Sequence, residues 1–248
     1  MGDGIKHGER MRQFYLRNYF FIRRLHSLLG IFPIGAFLVM HMFLNSRSAQ
    51  SPEQYQWVPD TLDQIPYLWA LELGGILMPL LLHAGLGIVI ATQGAPNIHK
   101  PPLGWYANWA YTMQRVTGVA LLVLISIHVY QTWWTHQRIK IGNALDGTHI
   151  EFDIFGLMVG IVSNYVWLVV YTLFVLIAAY HFGNGIYNFA YKWGFTTSRL
   201  SQRFAIGLGL SIGIIITAMG WASLWGFTFS PWAKEFLAQV PGWFVAGK

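Results

Sequence analysis

Residues 116–134 read VTGVALLVLISIHVYQTWW, nineteen positions with no acid, lysine or arginine and a single histidine, His128. Crossing about 30 Å of hydrocarbon takes about 20 apolar residues in a helix, so this stretch is long enough to span a bilayer. Four others qualify: Ser27–Leu44, Tyr67–Ala91, Phe155–Ala190 and Phe204–Phe227. The first is near the short limit. Phe155–Ala190 is too long for one upright helix and is expected to tilt or to run past the bilayer at one end. Charged, Gly- or Pro-containing segments separate the five: Ser51–Pro66, Gln93–Gly104, Gln137–Asp153 and Lys192–Arg203. The expected fold is an all-α membrane protein, a five-transmembrane-helix bundle forming a single membrane domain over residues 1–248. Residues 1–26 form a cytoplasmic or interfacial N-terminal segment and 27–227 the bundle. Residues 228–248 form an outer interfacial tail with Trp232, Phe236 and Trp243.

The composition agrees. Of 248 residues, 54% are hydrophobic, 17% aromatic and only 10% charged, against about 25% charged in a soluble domain. That excludes an ordinary soluble enzyme and a disordered chain. The net charge of +6 is explained by topology, not by a nucleic-acid partner. With no cysteine, the chain by itself holds no disulfide, Cys-ligated zinc or iron–sulfur cluster. No short apolar stretch near the start ends in a small-residue cleavage site, so the N-terminus reads as mature. Between Arg10 and Arg24 basic and aromatic side chains alternate (Phe14, Tyr15, Tyr19, Phe20), which suits the lipid headgroup layer.

Lys and Arg collect on the cytoplasmic side of a membrane protein. The N-terminal segment (Lys6, Arg10, Arg12, Arg17, Arg23, Arg24), the second connection (Lys100, Arg115) and the fourth (Lys192, Arg199, Arg203) hold eleven of the sixteen basic residues. They share that side with only Asp3 and Glu9. The opposite side carries Arg47, Arg138, Lys140, Lys234 and Lys248 with the acids Asp60, Asp63, Asp146, Glu151 and Asp153 among others. The N-terminus is therefore expected in the cytoplasm and the C-terminus outside.

Of nine histidines, His7, His99, His136 and His149 fall in loops or at ends. His41, His83, His128 and His181 lie inside apolar spans, one on each of the first four. Polar side chains are expensive inside a bilayer and usually face a partner within the protein; a lone one is more often a structural hydrogen bonder. Their depths, however, match in pairs. At about 1.5 Å per residue, His41 lies roughly 21 Å beyond Ser27 and His128 roughly 20 Å beyond Arg115, both travelling outward. His83 and His181 lie far along spans two and four, which run inward. Two depth-matched pairs of imidazoles on facing helices are what bis-histidine haem ligation needs. Ala84, Gly85 and Gly87 after His83, and Gly183 and Gly185 after His181, let a helix approach a flat macrocycle, though Gly is also common at plain helix contacts. Zinc would want clustered ligands, and no two of the four share a helix face.

Propionates of an inner haem would meet Arg24, Ser27, Arg115, Lys192 and Arg203 near the cytoplasmic surface, Arg binding carboxylates bidentately; the same residues also serve topology. His26, beside Arg23, Arg24 and Ser27, is a further propionate candidate or an interfacial residue. Glu72, at the outer start of span two, either handles protons for a quinone or snorkels. Trp133, Trp134, Trp221 and Trp225 read as an aromatic belt. The run Gly207-Leu-Gly209 reads as helix packing, since no strand precedes it.

The segments Arg23-Arg-Leu-His-Ser-Leu-Leu-Gly30, Gln114-Arg-Val-Thr-Gly118, His181-Phe-Gly-Asn-Gly185 and Ser201-Gln-Arg203 resemble the cytochrome b membrane anchor of succinate dehydrogenase. The likeness is to the single-chain, five-helix, dihaem form found with menaquinone and in related fumarate reductases, and it covers roughly residues 20 to 225. It implies two haems b in a bacterial cytoplasmic membrane, His41 with His128 holding the outer and His83 with His181 the inner. It also implies an FAD-containing flavoprotein subunit and an iron–sulfur subunit on the cytoplasmic face. Electrons from succinate would pass through flavin, clusters, inner haem and outer haem to menaquinone, with no succinate chemistry on this chain alone. In the fumarate-reducing branch a glutamate lies two residues before the fourth ligand; here that position is Ala179, which favours succinate oxidation or another proton route. Quinone type and contacts, haem potentials and oligomeric state stay open, as does the net direction, a fumarate reductase working in reverse being the alternative.

Two other readings compete. A cytochrome b anchor of a hydrogenase or formate dehydrogenase places its histidines differently, and the Arg23–Gly30 segment argues against it. A haem-free transporter using the histidines as a proton relay is disfavoured by the odd helix count and the lack of an inverted repeat.

Overall fold

A computed structural model describes residues 2–93, 105–147 and 153–239. His99, Lys100, His149, Glu151, Trp243 and Lys248, which enter the charge, histidine and tail readings above, lie outside the described residues. Within them all regular structure is helical, and five stretches are long and apolar enough to cross a membrane: Tyr19–Ala49, Leu68–Thr92, Asn108–Asp146, Tyr165–Lys192 and Arg199–Gln239.

Their internal breaks have local causes. Helix α1 (Gly2–Arg17) is followed by α2 (Tyr19–Ile31) and α3 (Ile34–Asn45). The first apolar stretch is thus helical from Tyr19 onward, earlier than the expected Ser27. It is interrupted at Phe32–Pro33 because proline lacks an N–H and pushes the residue before it into extended backbone; Phe32 has φ −142° and ψ 124°. Helix α4 (Pro52–Leu62) starts with proline in its first turn and Ser51 as N-cap, its hydroxyl accepting from Gln54 N. The second stretch runs from α5 (Leu68–Leu71) through a π-helical segment, Glu72–Leu77, into α6 (Met78–Thr92). The third joins α7 (Trp105–Val129) to α8 (Thr135–Asp146) through a second π-helical segment, Tyr130–Trp134.

The long fourth stretch divides. Helix α9 (Ile154–Val162) and α10 (Tyr165–Lys192) meet at Ser163–Asn164, where the Asn164 side chain accepts from Val166 N at 2.9 Å and so caps a new helix. The expectation of one tilted or overlong helix is corrected accordingly. The fifth stretch comprises α11 (Arg199–Thr228) and α12 (Pro231–Gln239).

The chain forms two compact units: Met1–Leu38, Trp69–Val119 and Tyr180–Gly213 make one, and Val39–Leu68, Ala120–Ala179 and Ile214–Lys248 the other. In the first, α10 and α11 cross at Gly183 and Gly209, so closely that a Cβ on Gly183 would stand 2.5 Å from the Gly209 carbonyl oxygen. In the second, α9 is the centre of the core: Val159 and Val162 are fully buried with Tyr55, Phe155 and Phe227. Ser48 ties the segment after α3 to the fifth stretch, donating to Ser223 O and accepting through its carbonyl from Trp232 Nε1. Elsewhere the spans present bare apolar side chains outward, among them Leu81, Leu82, Val119, Val123, Ile214 and Ile215, as a lipid-facing surface does.

Candidate functional site

In the first unit His83 on α6 and His181 on α10 have ring centroids 6.4 Å apart, with planes at 84°. Each is held through Nδ1. His83 Nδ1 donates to the carbonyl of His26 at 2.9 Å, and His26 Nδ1 donates to the carbonyl of His83 at 3.0 Å. The two rings stack at 3.9 Å and 15°. A carbonyl only accepts, so both Nδ1 atoms carry the proton and Nε2 keeps its lone pair. His181 Nδ1 lies 3.0 Å from Thr117 Oγ1, whose own proton goes to Met113 O at 2.6 Å; His181 is therefore the donor, again leaving Nε2 as the basic nitrogen. Gln114 Nε2 points at that Nε2 from 3.3 Å, and Gln114 Oε1 accepts from Asn184 Nδ2 at 2.6 Å. Glycine is required beside these rings: a Cβ on Gly30 would stand 2.6 Å from His83 Cε1, and one on Gly118 3.0 Å from His181 Cε1.

The second unit holds the other pair. The rings of His41 on α3 and His128 on α7 lie 5.9 Å apart at 74°. His128 Nδ1 is 3.3 Å from the Tyr171 hydroxyl, which donates to Gln131 Oε1 at 3.0 Å. Asn45 donates to the His41 carbonyl at 2.8 Å and accepts from the Tyr55 hydroxyl at 3.0 Å. Burial, with the Tyr171 phenol nearby, holds the Tyr55 phenol above its usual pKa, so it stays a donor.

An ion between two imidazoles, with metal–nitrogen bonds of about 2 Å, holds the ring centroids roughly 6 Å apart. Both pairs have that spacing, and in three of the four rings a hydrogen bond given by Nδ1 leaves Nε2 as the basic nitrogen, which on His181 accepts from Gln114 Nε2 at 3.3 Å. Among the described residues no three or more His, Asp or Glu side chains gather as a metal site. The donor sets are pairs of imidazoles, which fit a metal whose other positions are filled by a macrocycle, as in haem.

The cationic candidates are placed unevenly. The Arg24 guanidinium lies 5.6 Å over the Trp193 ring, Trp193 Nε1 donates to Ser27 Oγ at 3.2 Å, and Ser27 donates to Arg24 O at 2.9 Å. Lys192, at the end of α10, acts electrostatically on His26 and His83. The Arg115 guanidinium donates to the Ala91 carbonyl and lies 5.2 Å over Tyr111. Arg203 is exposed on α11, and His26 is engaged with His83. Glu72 opens the π-helical segment of the first unit, half-buried, whereas His41 and His128 belong to the second. Ala179 is buried at 3% exposure. Trp134, Trp221 and Trp225 are exposed. Sequence reasoning missed Gln114, Thr117 and Tyr171 as partners of the histidines, and Gln131 as the partner of Tyr171. For Thr117, Tyr171 and Gln131 the signal was present, since each is a polar side chain within an apolar span; Gln114 stands just before one.

Comparison with known proteins agrees with this architecture. Residues 97–231 match the family described as the succinate dehydrogenase/fumarate reductase transmembrane subunit. The succinate dehydrogenase cytochrome b558 subunit of Bacillus subtilis (strain 168) is 34% identical over 208 residues, covering 84% of this chain and 96% of that protein. Shorter likenesses reach NAD(P)H-quinone oxidoreductase chain 4 of two Synechococcus strains. One is 35% identical over 81 residues, 31% of this chain and 15% of that protein; the other is 39% identical over 67 residues, 27% and 12%. These cover too little of either partner to set a family. With the family pattern spanning more than half of the chain, and a relative aligned along nearly all of its own length, this chain belongs to the succinate dehydrogenase/fumarate reductase transmembrane subunit family.

Proposed function

We propose that this chain is the dihaem cytochrome b membrane anchor of a bacterial succinate:menaquinone oxidoreductase. The observation that carries the reading is the meeting of four intramembrane histidines, one from each of four spans, as two pairs at 5.9 and 6.4 Å. In this reading His41 and His128 hold one haem b, and His83 and His181 the other. When bound, the haems supply one-electron carriers between an iron–sulfur subunit and menaquinone.

The chain's own part is to hold and to insulate. Thr117 and the His26 carbonyl orient His181 and His83, and Gly30 and Gly118 leave space beside those rings. Arg24 and Lys192 supply positive charge for propionates, while Ser27 braces Arg24. The basic N-terminal and second and fourth connecting segments face the cytoplasm in this reading and receive the flavoprotein and iron–sulfur subunits; the C-terminus lies outside. Ala179 offers no carboxyl to carry a proton along α10, which favours the succinate-oxidising direction or another proton route.

The test is a dithionite-reduced minus oxidised spectrum of the purified complex with pyridine haemochrome quantitation. Two haems b per chain are expected; one would make one histidine pair structural, and none would return the proton-relay reading. With His41 and His128 in the outer half of the membrane, succinate oxidation in inverted vesicles is expected to be slowed by an uncoupler. An unchanged rate would remove the transmembrane part of the proposal.

A further inference from the structure

Tyr171 stands on α10 with its ring buried at 6% exposure, against His128 (centroids 5.8 Å apart) and Phe174 (6.2 Å). Its hydroxyl has one proton, and that proton is directed to Gln131 Oε1 at 3.0 Å. The lone pairs of the same oxygen are therefore what His128 Nδ1 meets at 3.3 Å. A hydroxyl that donates onward is a better acceptor, because chained hydrogen bonds polarise one another. Within a membrane span no water competes for the imidazole N–H.

We propose that Tyr171, held by Gln131, is a positioning residue that fixes His128 in its Nδ1–H form and strengthens Nε2 as a donor to the haem iron of that pair. This rests on the reading of His128 as an axial ligand. Hydrogen bonding at the far ring nitrogen raises ligand basicity and orients the ring; a more basic imidazole favours ferric over ferrous iron and lowers the haem potential. The other pair is tied differently. His83 donates to a backbone carbonyl, which no side-chain substitution removes, and His181 donates to Thr117. Tyr171 is thus a handle on one haem alone.

The test is a potentiometric titration of both haems in the purified complex, read by their α-band absorbance, for the parent protein, Tyr171→Phe, Gln131→Leu and His128→Ala. Tyr171→Phe keeps the ring packing and deletes the hydroxyl. It is expected to shift one haem about tenfold toward the reduced state, the low end of outer-hydrogen-bond effects at metal sites, or about 59 mV upward for a one-electron couple. The other haem is expected to stay in place. Gln131→Leu is expected to move the same haem in the same direction by less, and combining it with Tyr171→Phe to add nothing, because Gln131 acts through the tyrosine. Unmoved potentials, a downward shift, or equal shifts of both haems would overturn the proposal. If Tyr171→Phe fails to assemble, Gln131→Leu carries the same test of sign. His128→Ala separates the two levels. Loss of one haem there, with unmoved potentials in the other variants, defeats the tyrosine's role alone; retention of both haems defeats the ligand reading with it.

Discussion

His128→Ala is expected to leave one haem b per chain where two are expected in the parent protein, and His41→Ala to leave the same one. Bis-imidazole ligation needs both rings, so loss of either member of a pair empties its site, while a pair in the other unit is untouched. His83→Ala and His181→Ala are expected to spare the opposite haem. The four variants should therefore fall into two spectral classes, {41, 128} and {83, 181}, each with half the parent's haem by pyridine haemochrome. The pairing follows from ring separations of 5.9 and 6.4 Å and from depth along the spans, two arguments with no shared premise. Spectral classes that mixed the pairs, or a variant that kept both haems, would refute the assignment even with the total of two haems intact.

The second large effect is steric. Gly183→Ala places a Cβ 2.5 Å from the Gly209 carbonyl oxygen and 3.3 Å from its carbon. The obstacle is helix backbone, which has no rotamer to move to, so α10 and α11 must separate. Overpacking of this kind costs about 1–3 kcal/mol. Since Gly183 is two residues from His181, the displacement reaches the candidate ligand directly. Gly207→Ala, on α11 near the same crossing, is the matched control, because its Cβ would meet nothing within 4 Å. Thermal bleaching of the Soret band is expected to come markedly earlier in the Gly183 variant, with loss of the His83–His181 haem first, and near the parent's temperature in the Gly207 variant. Equal behaviour of the two would show that the crossing at Gly183 and Gly209 does not limit the stability of the haem site.

The span count was legible because a bilayer imposes length and apolarity together; no soluble arrangement explains nineteen uncharged residues at 116–134 followed by a second and third stretch of the same kind. The four histidines were legible for the same reason. In a soluble chain they would have been ordinary, and only the expense of a polar group in hydrocarbon singled out one per span. Helix breaks were less visible. Pro33 announced itself chemically, but the division of residues 155–190 at Ser163–Asn164 depended on a cap within a run that hydropathy reads as continuous.

The membrane class and the number of spans could be read from length and apolarity alone, and helix rise added an expected depth for each intramembrane imidazole. What each imidazole leans on came from the packed fold. His26 stacks on His83 from 57 residues away, Thr117 receives His181 across 64, and Tyr171 meets His128 across 43. Rise gives depth, but which face of one helix turns toward another is set by side-chain packing between helices, and no one-dimensional pattern contains that rotation.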